Sequence, residues 1–474
     1  MRPSNPAETG GRDGAGGSVP SRRQVLRTTG VAVAGGLAGC TLESETDGSG
    51  RDCEPPGDSA ETPLEYATHP DDDVSMYRRG LRHLGYYPDE TVPDSVRVSW
   101  SFPLNYVGHT AAKSTPVPTP DGETIVFAGD TGRVEGYTPR GENLWTTRTD
   151  ATSLGFHGSP TIVDGVAYLG GYDGDLYAID VSSGDLVWRT RRDELGGTLA
   201  IGSTPAYYDG ALYVVVEYGS PSSGALWKIA PDTGEPLWHD DRIWGQPHPS
   251  ATIDLEEGKL VTGSNDGVVY CWDFPCLEFD WEFQAGPEGG PQGKEKADGR
   301  FNHGAQIKGA LPAYDGKVYV GSWDGYFYCL DLEDGEELWS FETGRVNMSS
   351  PGIDPEEGIV YAGSDDHHVY ALDAETGEDL WSTDVRGRVL GGVTVTAETV
   401  LAGSYDTHLY ALDRETGERR WRVENRGYVT SAPVPLDGRI YYAERGVVVG
   451  YYDDDREEEL IEPGHAYCLV ADDE

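Results

Sequence analysis

The stretch YALDAETGEDLW, from Tyr370 to Trp381, recurs along the chain at nearly fixed spacing. In six of its seven versions an aromatic residue lies eleven positions before the final tryptophan, and in six a glycine lies four positions before it. Such a period is typical of repeat architectures, in which each unit buries its apolar surface against its neighbours. The seven versions end at Trp145, Trp188, Trp238, Trp281, Trp339, Trp381 and Trp421.

Each repeat reads as four short strands. In residues 159–188, runs of alternating apolar and polar residues are separated by glycine-containing pairs such as Asp-Gly. Glycine supplies the positive φ angles that tight hairpin turns require. Four-stranded units repeated in this way predict the blades of a β-propeller. We expect each tryptophan to pack between neighbouring blades, where it would bury ~150–250 Å².

The two termini supply the parts of one more unit. Trp100 ends a strand-like segment that no repeat precedes, whereas residues 431–437, 439–444 and 466–470 predict three strands without a final tryptophan. Pairing the N-terminal strand with these three would close the ring and remove exposed sheet edges. The sequence therefore predicts an all-β, eight-bladed β-propeller of four-stranded antiparallel blades over residues 64–474, with the last blade closed by the N-terminal strand containing Trp100.

The segment before that strand, SMYRRGLRHLGYYP, predicts a short helix. Met76, Leu81 and Leu84 are its apolar residues and are expected to pack against the propeller.

The composition is strongly acidic. Lysine and arginine total 36 against 82 aspartate and glutamate residues, which gives a net charge of −46, and only 7 of the basic residues are lysines. Abundant acid with scarce lysine resembles proteins of salt-loving archaea, whose carboxylates keep the surface hydrated where salt screens charge over ~3 Å. An acidic partner-binding protein is the alternative. The lack of a basic patch argues against nucleic-acid binding.

The N-terminus carries two export features. Residues 1–39 predict a twin-arginine signal peptide, with Arg22 and Arg23 as the arginine pair and an apolar run shorter than the ~20 residues of a membrane-spanning helix. Residues 37–40 match a lipobox, which predicts lipid attachment at Cys40. Residues 40–63 are polar and acidic and predict a disordered tether. We expect a monomer that is lipid-anchored at the extracellular face of the cytoplasmic membrane. A chance arginine pair in a disordered N-terminus is the alternative.

The alanine, aspartate, Thr-Gly and tryptophan pattern resembles the repeat of the pyrroloquinoline-quinone (PQQ)-type β-propellers. The segment MYRRGLRHLGY is similar to the one before the propeller in outer-membrane-barrel assembly lipoproteins, and the chain also resembles haloarchaeal secreted proteins with this repeat. The resemblance covers about residues 75–474. The resemblance implies a binding or assembly scaffold without catalytic activity.

Quinoprotein dehydrogenases of this family hold PQQ and calcium at the propeller centre beneath an adjacent cysteine pair. This chain has no two adjacent cysteines, so the sequence predicts no catalytic, cofactor-binding or metal-binding residue. A PQQ- and calcium-dependent dehydrogenase of altered pattern is one alternative function, and an extracellular solute- or glycan-binding protein is another.

Candidate binding residues lie in the segments that connect each tryptophan strand to the next blade. Propeller topology places these connectors on one face, around the mouth of the central channel. Their cations suggest that this face receives an anionic group of a protein partner or a small ligand at the cell surface; relief of repulsion between carboxylates is the alternative. The candidates are Lys113, His157, His248, Lys308, Arg345, Arg388 and Arg426.

The cysteines offer little chemistry. Cys271, Cys329 and Cys468 each follow the third-strand tyrosine, where other repeats have alanine, so we expect small buried side chains. The sequence does not assign a disulfide pairing for Cys53 and Cys276.

Overall fold

A computed structural model describes residues 69–107, 114–219, 222–286, 304–449 and 459–474. Eight four-stranded antiparallel blades form a ring, which confirms the predicted fold. The strands of blades 1 to 4, from the innermost outward, are Val117–Pro118, Ile125–Ala128, Arg133–Tyr137 and Asn143–Arg148; Thr161–Val163, Val166–Gly170, Leu176–Asp180 and Leu186–Thr190; Ala206–Tyr208, Ala211–Tyr218, Ser223–Ile229 and Pro236–Trp244; and Thr252–Asp254, Lys259–Gly263, Val268–Asp273 and Phe279–Gln284.

Blades 5 to 8 follow the same order. Their strands are Ala313–Tyr314, Lys317–Gly321, Tyr326–Asp331 and Glu337–Glu342; Gly352–Asp354, Ile359–Gly363, His368–Asp373 and Asp379–Asp384; Thr394–Thr396, Thr399–Gly403, His408–Asp413 and Arg419–Glu424; and Val434–Leu436, Arg439–Arg445, Gly464–Ala471 and Val96–Asn105. The remaining elements are the strands Val74–Ser75, Tyr86–Tyr87, Tyr428–Val429, Val447–Val449 and Glu459–Glu462 and the 3-10 helix Tyr77–Arg79.

The N-terminal strand closes the ring, as predicted. Val96–Asn105 pairs antiparallel with Gly464–Ala471 and forms the outermost strand of blade 8, with Trp100 opposite Cys468. The hairpin of Val447–Val449 and Glu459–Glu462 is an insertion in blade 8 that the repeat pattern did not predict.

Strand direction gives the ring two different faces. The connector face carries the interblade connectors and the turns between second and third strands. The turn face carries the turns between first and second strands and those between third and fourth strands. This division follows from antiparallel blades in which each outermost strand leads to the innermost strand of the next blade.

Each blade is held to the next by its tryptophan. The indole N–H of Trp339 donates to Ala374 O at 3.0 Å, and that of Trp381 donates to Arg414 O at 3.1 Å. The repeat glycine lies under the ring of the preceding blade: a Cβ on Gly377 would be 2.6 Å from Trp339 Cε3. Gly377 also has a φ of +70°. The glycine is therefore required both by its own turn and by the neighbouring tryptophan.

The other repeat residues build turns. Tyr370 Oη donates to Asp366 Oδ2 at 2.7 Å, which joins the third strand to the turn before it. Asp373 Oδ1 accepts hydrogen bonds from the hydroxyl and the backbone N–H of Thr376, both at 2.8 Å, and these bonds lower the pKa of Asp373. The aromatic, acidic and hydroxyl positions of the repeat are thus explained by local structure.

Gly377→Ala is expected to lower the free energy of unfolding by about 2–5 kcal/mol, because the left-handed backbone costs ~1–2 kcal/mol and displacement of the Trp339 ring adds ~1–3 kcal/mol. Gly358→Ala is the matched control, since Gly358 has a φ of +66° but no atom lies within 4 Å of the place that its Cβ would take. It should cost only the ~1–2 kcal/mol of backbone strain. Chemical denaturation in high salt measures both; equal losses would contradict the tryptophan–glycine contact.

Residues 75–88, within the longer segment 69–92, do not form the helix that the sequence predicts. Apart from the 3-10 helix Tyr77–Arg79, this segment is irregular, because Arg78, Arg79 and His83 all have positive φ. It runs along the innermost strands: Val74–Ser75 pairs with blade 2 and Tyr86–Tyr87 with blade 7. We call residues 69–92 the channel segment.

The channel segment lies inside the channel, against the innermost strands. Leu81 O accepts from Ile253 N–H of blade 4 at 2.9 Å, and Leu84 O accepts from Ile353 N–H of blade 6 at 2.9 Å. Met76, Leu81 and Leu84 are buried in the apolar clusters between blades, as expected.

Arg78 anchors this segment. Its side chain is buried and donates to four backbone carbonyl oxygens, those of His83, Leu84, Pro351 and Val393. Two acceptors belong to the channel segment itself, and the other two precede the innermost strands of blades 6 and 7. One guanidinium therefore ties the segment to two blades.

Arg78→Met keeps the length of the side chain but leaves these buried carbonyls without their donors, so it should lower the free energy of unfolding by about 3 kcal/mol or more. Arg79→Met is the control, because Arg79 donates to no backbone carbonyl in the described residues and makes an ion pair with the exposed Asp89, at 3.7 Å, and a cation–π contact with Tyr87, at 5.2 Å. It should cost about 1 kcal/mol. Denaturation gives the totals, and hydrogen exchange of residues 76–87 reports detachment of the segment. Unchanged exchange in Arg78→Met would contradict the anchoring role.

Candidate functional site

A belt of hydrogen bonds fixes the connectors where they enter the innermost strands. Thr115 N–H donates to Ser159 Oγ at 2.9 Å, and Thr204 N–H donates to Ser250 Oγ at 2.8 Å. Between the last blade and the first, Ala432 N–H donates to Thr115 Oγ1 at 3.0 Å. The connectors therefore occupy regular positions around the channel.

Three of the sequence-predicted candidates hold equivalent places in this belt. Each lies two residues before a belt position, at the connector end of the channel. Lys308, for example, precedes Ala310, whose N–H donates to Ser350 Oγ at 2.9 Å. The pairs are His157 with Ser159, His248 with Ser250 and Lys308 with Ala310.

A second set of side chains also lies at the connector end of the channel, and the sequence analysis did not predict it. Its members begin the turns between second and third strands and lie beside the connectors. Tyr172 N–H donates to Gly155 O, and Trp323 N–H donates to Gln306 O, both at 2.9 Å. The signal in the sequence is a variable residue before the turn aspartate. The members are Tyr172, Asn265, Trp323, Asp365 and Tyr405.

Blades 2 to 4 bring together His157, Tyr172, Glu217 and His248, which we call the Glu217 cluster. His248 Nδ1 lies 3.2 Å from Glu217 Oε1 and 3.5 Å from Tyr172 Oη. The rings of His157 and Tyr172 have centroids 3.6 Å apart. Burial raises the pKa of Tyr172, and the nearby Glu217 carboxylate raises it further. A buried carboxylate, two imidazoles and a phenol thus share one wall of the channel.

Gly202 leaves room for this cluster. It occupies the connector position equivalent to His157, and a Cβ there would be 2.9 Å from Glu217 Oε1 and 3.3 Å from His248 Nδ1. A side chain at this position would collide with the ion pair.

Lys308 lies against an aromatic ring. Its Nζ is 4.9 Å from the centroid of Trp323, and the bridge between Ile307 and Ser322 holds the two segments side by side. Burial lowers the pKa of Lys308 to about 8, and the Glu217 carboxylate opposes the shift. Within the described parts of the chain, no hydrogen bond or ion pair reaches Nζ.

Blades 7 and 8 contribute a second aromatic group. The Arg445 guanidinium lies 4.7 Å from the ring centroid of Tyr405 and 4.9 Å from that of Tyr428. The two rings stack with centroids 4.8 Å apart. The neighbouring Glu444 is fully buried and accepts from Gly427 N–H at 2.8 Å. This half of the connector end is densely hydrogen-bonded.

The three predicted arginines lie further out, on the connector face. Arg345, Arg388 and Arg426 are exposed. Arg388 Nε is 3.8 Å from Asp365 Oδ2, and Arg426 Nη1 is 3.2 Å from Glu462 Oε1. The structure therefore separates the candidates into a partly buried set in the channel and an exposed set of arginines.

Several predictions concern residues outside the described part of the chain. They are the signal peptide over 1–39 with Arg22 and Arg23, lipid attachment at Cys40, the tether over 40–63, the role of Lys113 and the pairing of Cys53.

The third-strand cysteines are buried side chains, as expected. Cys271, Cys329 and Cys468 have no exposed surface, and burial raises the pKa of the Cys468 thiol to about 11. Among the described residues, no three His, Cys, Asp or Glu side chains are grouped so that they could hold a metal ion. No helix in the same residues is long and apolar enough to cross a membrane.

Comparison with known proteins places the chain in a family. A family model described as outer membrane protein assembly factor BamB matches residues 93–275, 222–364, 281–388 and 365–458. The chain belongs to this family. The BamB family match covers all eight blades in part, which agrees with the ring of repeats.

Curated relatives include both BamB proteins and dehydrogenases. BamB of Alkalilimnicola ehrlichii is 37% identical over 230 residues, which cover 46% of this chain and 51% of that protein. BamB of Yersinia pestis is 27% identical over 31% of this chain and 36% of its own length. Polyvinylalcohol dehydrogenase of Sphingopyxis sp. is 25% identical over 44% of this chain and 36% of its own length. The matches thus span about a third to a half of these relatives.

Solved structures share the fold. Quinohemoprotein alcohol dehydrogenase from Comamonas testosteroni superposes with a TM-score of 0.66 at 17% identity, covering 86% of this chain and 81% of that chain. BamB from Moraxella catarrhalis gives a TM-score of 0.57 at 17% identity, covering 79% and 100%. At these identities the likeness concerns the propeller architecture alone.

Proposed function

We propose that this protein is a non-catalytic binding and assembly scaffold, held by a lipid at Cys40 on the extracellular face of the cytoplasmic membrane after export by the twin-arginine route. Its connector face receives a protein partner that carries anionic groups. Membership of the BamB family supports a scaffold, because the BamB relatives are described as assembly factors.

The observation that carries this proposal is the difference between the two faces. Repeat residues build the blades and turns, whereas the side chains that vary between repeats converge at the connector end. Arg345, Arg388 and Arg426 place three exposed cations there, in a chain of net charge −46. Cations on an otherwise acidic molecule give a partner a local electrostatic target.

The point at which the chain enters the propeller also supports different roles for the two faces. His69 is the first described residue, and its Nε2 is 2.8 Å from Tyr207 O, next to the first turn of blade 3 on the turn face. Only 28 residues separate Cys40 from His69. In this proposal the lipid tether joins the propeller at its turn face, opposite the face that meets partners.

The residues do not fit the PQQ and calcium pair that the resemblance to quinoprotein dehydrogenases implies. The sequence has no adjacent cysteines. The described residues offer no group of three carboxylate, imidazole or thiolate side chains suited to a metal ion. We therefore derive no redox step for this chain.

Replacement of Arg345 and Arg388 by glutamate should abolish capture of the partner, because both cations become anions on the face that meets it. A photo-crosslinking residue at position 426 captures neighbours of the membrane-associated protein in high salt, and mass spectrometry identifies them. We expect one dominant adduct in the parent protein and its loss in the double variant.

Arg97→Glu with Arg419→Glu is the matched control. Both arginines are exposed on outermost strands, so the net charge changes equally while the connector face is untouched. The control should retain the adduct and both double variants should unfold at similar temperatures. An adduct that persists after the Arg345 and Arg388 replacements would overturn the proposal.

A further inference from the structure

Lys308 differs from the other described lysines with resolved pKa shifts in its lack of a carboxylate contact. Lys259 Nζ lies 2.7 Å from Asp273 and 2.5 Å from Asp280, and Lys317 Nζ contacts two carboxylates at 3.2 and 3.1 Å. These contacts raise the pKa of Lys259 and Lys317. The described residues place no ion pair or hydrogen bond on Lys308 Nζ. This ammonium is therefore the one least stabilised in its charged form.

The neighbours of Lys308 are suited to carbonyl chemistry. Trp323 offers a flat apolar face 4.9 Å from Nζ. The Glu217 cluster supplies groups that hold and transfer protons, since His248 Nδ1 contacts both Glu217 and Tyr172. A desolvated amine beside such groups has the setting of lysines that form Schiff bases.

We propose that Lys308 is a reactive amine that captures small, flat aldehydes or ketones. The flat part of the ligand lies against Trp323, and the side chains of the Glu217 cluster accept and donate the protons. This role goes beyond the scaffold function and does not depend on it.

The reaction balances without an oxidant or reductant. The lone pair of neutral Lys308 Nζ forms a bond to the carbonyl carbon, and the carbonyl oxygen takes up a proton to give a carbinolamine. The nitrogen then forms a double bond to the carbon, and the hydroxyl group of the carbinolamine is protonated and leaves as a water molecule. The net change converts an ammonium and a carbonyl into a protonated imine and one water. We assign the proton transfers to His248 and Tyr172, which contact each other at the same end of the channel as Lys308.

Several charged or titratable groups lie at the same end of the channel. Glu217, His248, Tyr172 and His157 approach from blades 2 to 4, and Asp365 with Arg388 lies toward blade 6. Burial lowers the pKa of Lys308 to about 8, while Glu217 raises it. The neutral fraction of Lys308 therefore rises through pH 8, whereas that of an ordinary lysine rises near pH 10.4.

Reductive trapping tests the proposal in the full chain. The protein is incubated with benzaldehyde and cyanoborohydride in high salt, and peptide mapping gives the labelling rate of each lysine. At pH 8 we expect Lys308 to react about tenfold faster or more than Lys317, with a rate that levels off just above pH 8. Equal rates, or a Lys308 rate that still rises near pH 10, would overturn the proposal.

Three variants separate reactivity from simple access. Lys308→Arg should remove the fast label and leave labelling of Lys317 unchanged. Glu217→Gln should move the pH profile of Lys308 downward, because the carboxylate favours the ammonium. His248→Gln should slow labelling without moving the midpoint, because it removes a proton carrier. A Glu217→Gln profile that coincides with that of the parent protein would contradict the assigned electrostatics; normal circular dichroism is required of each variant.

Discussion

The contact between the tryptophan of one blade and the glycine of the next, which recurs at six of the eight blade junctions, is the constraint on which the ring depends. Gly377 turns the chain with a positive φ, receives the ring of Trp339 and is followed by the strand that carries Trp381. The indole N–H of Trp339 bonds to Ala374 O in the same turn. One turn thus serves its own blade and the preceding one, so neither can shift alone. The resulting ring places the connectors at regular positions and makes an ordered face from irregular segments.

The same coupling explains why the sequence predicts the fold so well. The tyrosine, aspartate, glycine and tryptophan of the repeat each have a local task that recurs in blade after blade. The channel segment has no such recurrence. Its conformation depends on Arg78, whose acceptors include Pro351 and Val393, distant in sequence and supplied by two different blades. A pattern of apolar residues indicated burial correctly but could not distinguish a helix from an irregular segment held by distant carbonyl groups.

Part of the candidate site could likewise be predicted from the sequence, and part could not. The register of the connectors was readable, so His157, His248 and Lys308 could be named from sequence. Glu217 could not, because blade 3 lacks the Asp-Gly turn that follows the second strand in blades 2 and 4 and places a glutamate near the end of its second strand. The approach of Trp323 to Lys308 also requires the folded ring, since it depends on the bridge between Ile307 and Ser322.

The channel segment and Lys308 lie in different parts of the channel. Arg78 and the apolar residues of the channel segment pack against the innermost strands from inside the channel. Lys308 lies toward the connector face, just before the innermost strand of blade 5. That is the face on which Arg345 and Arg388 are exposed, so a partner bound across it would cover the approach to the amine. Partner binding and carbonyl capture would then interfere with each other, because Lys308 and the exposed arginines lie toward the same face of the ring.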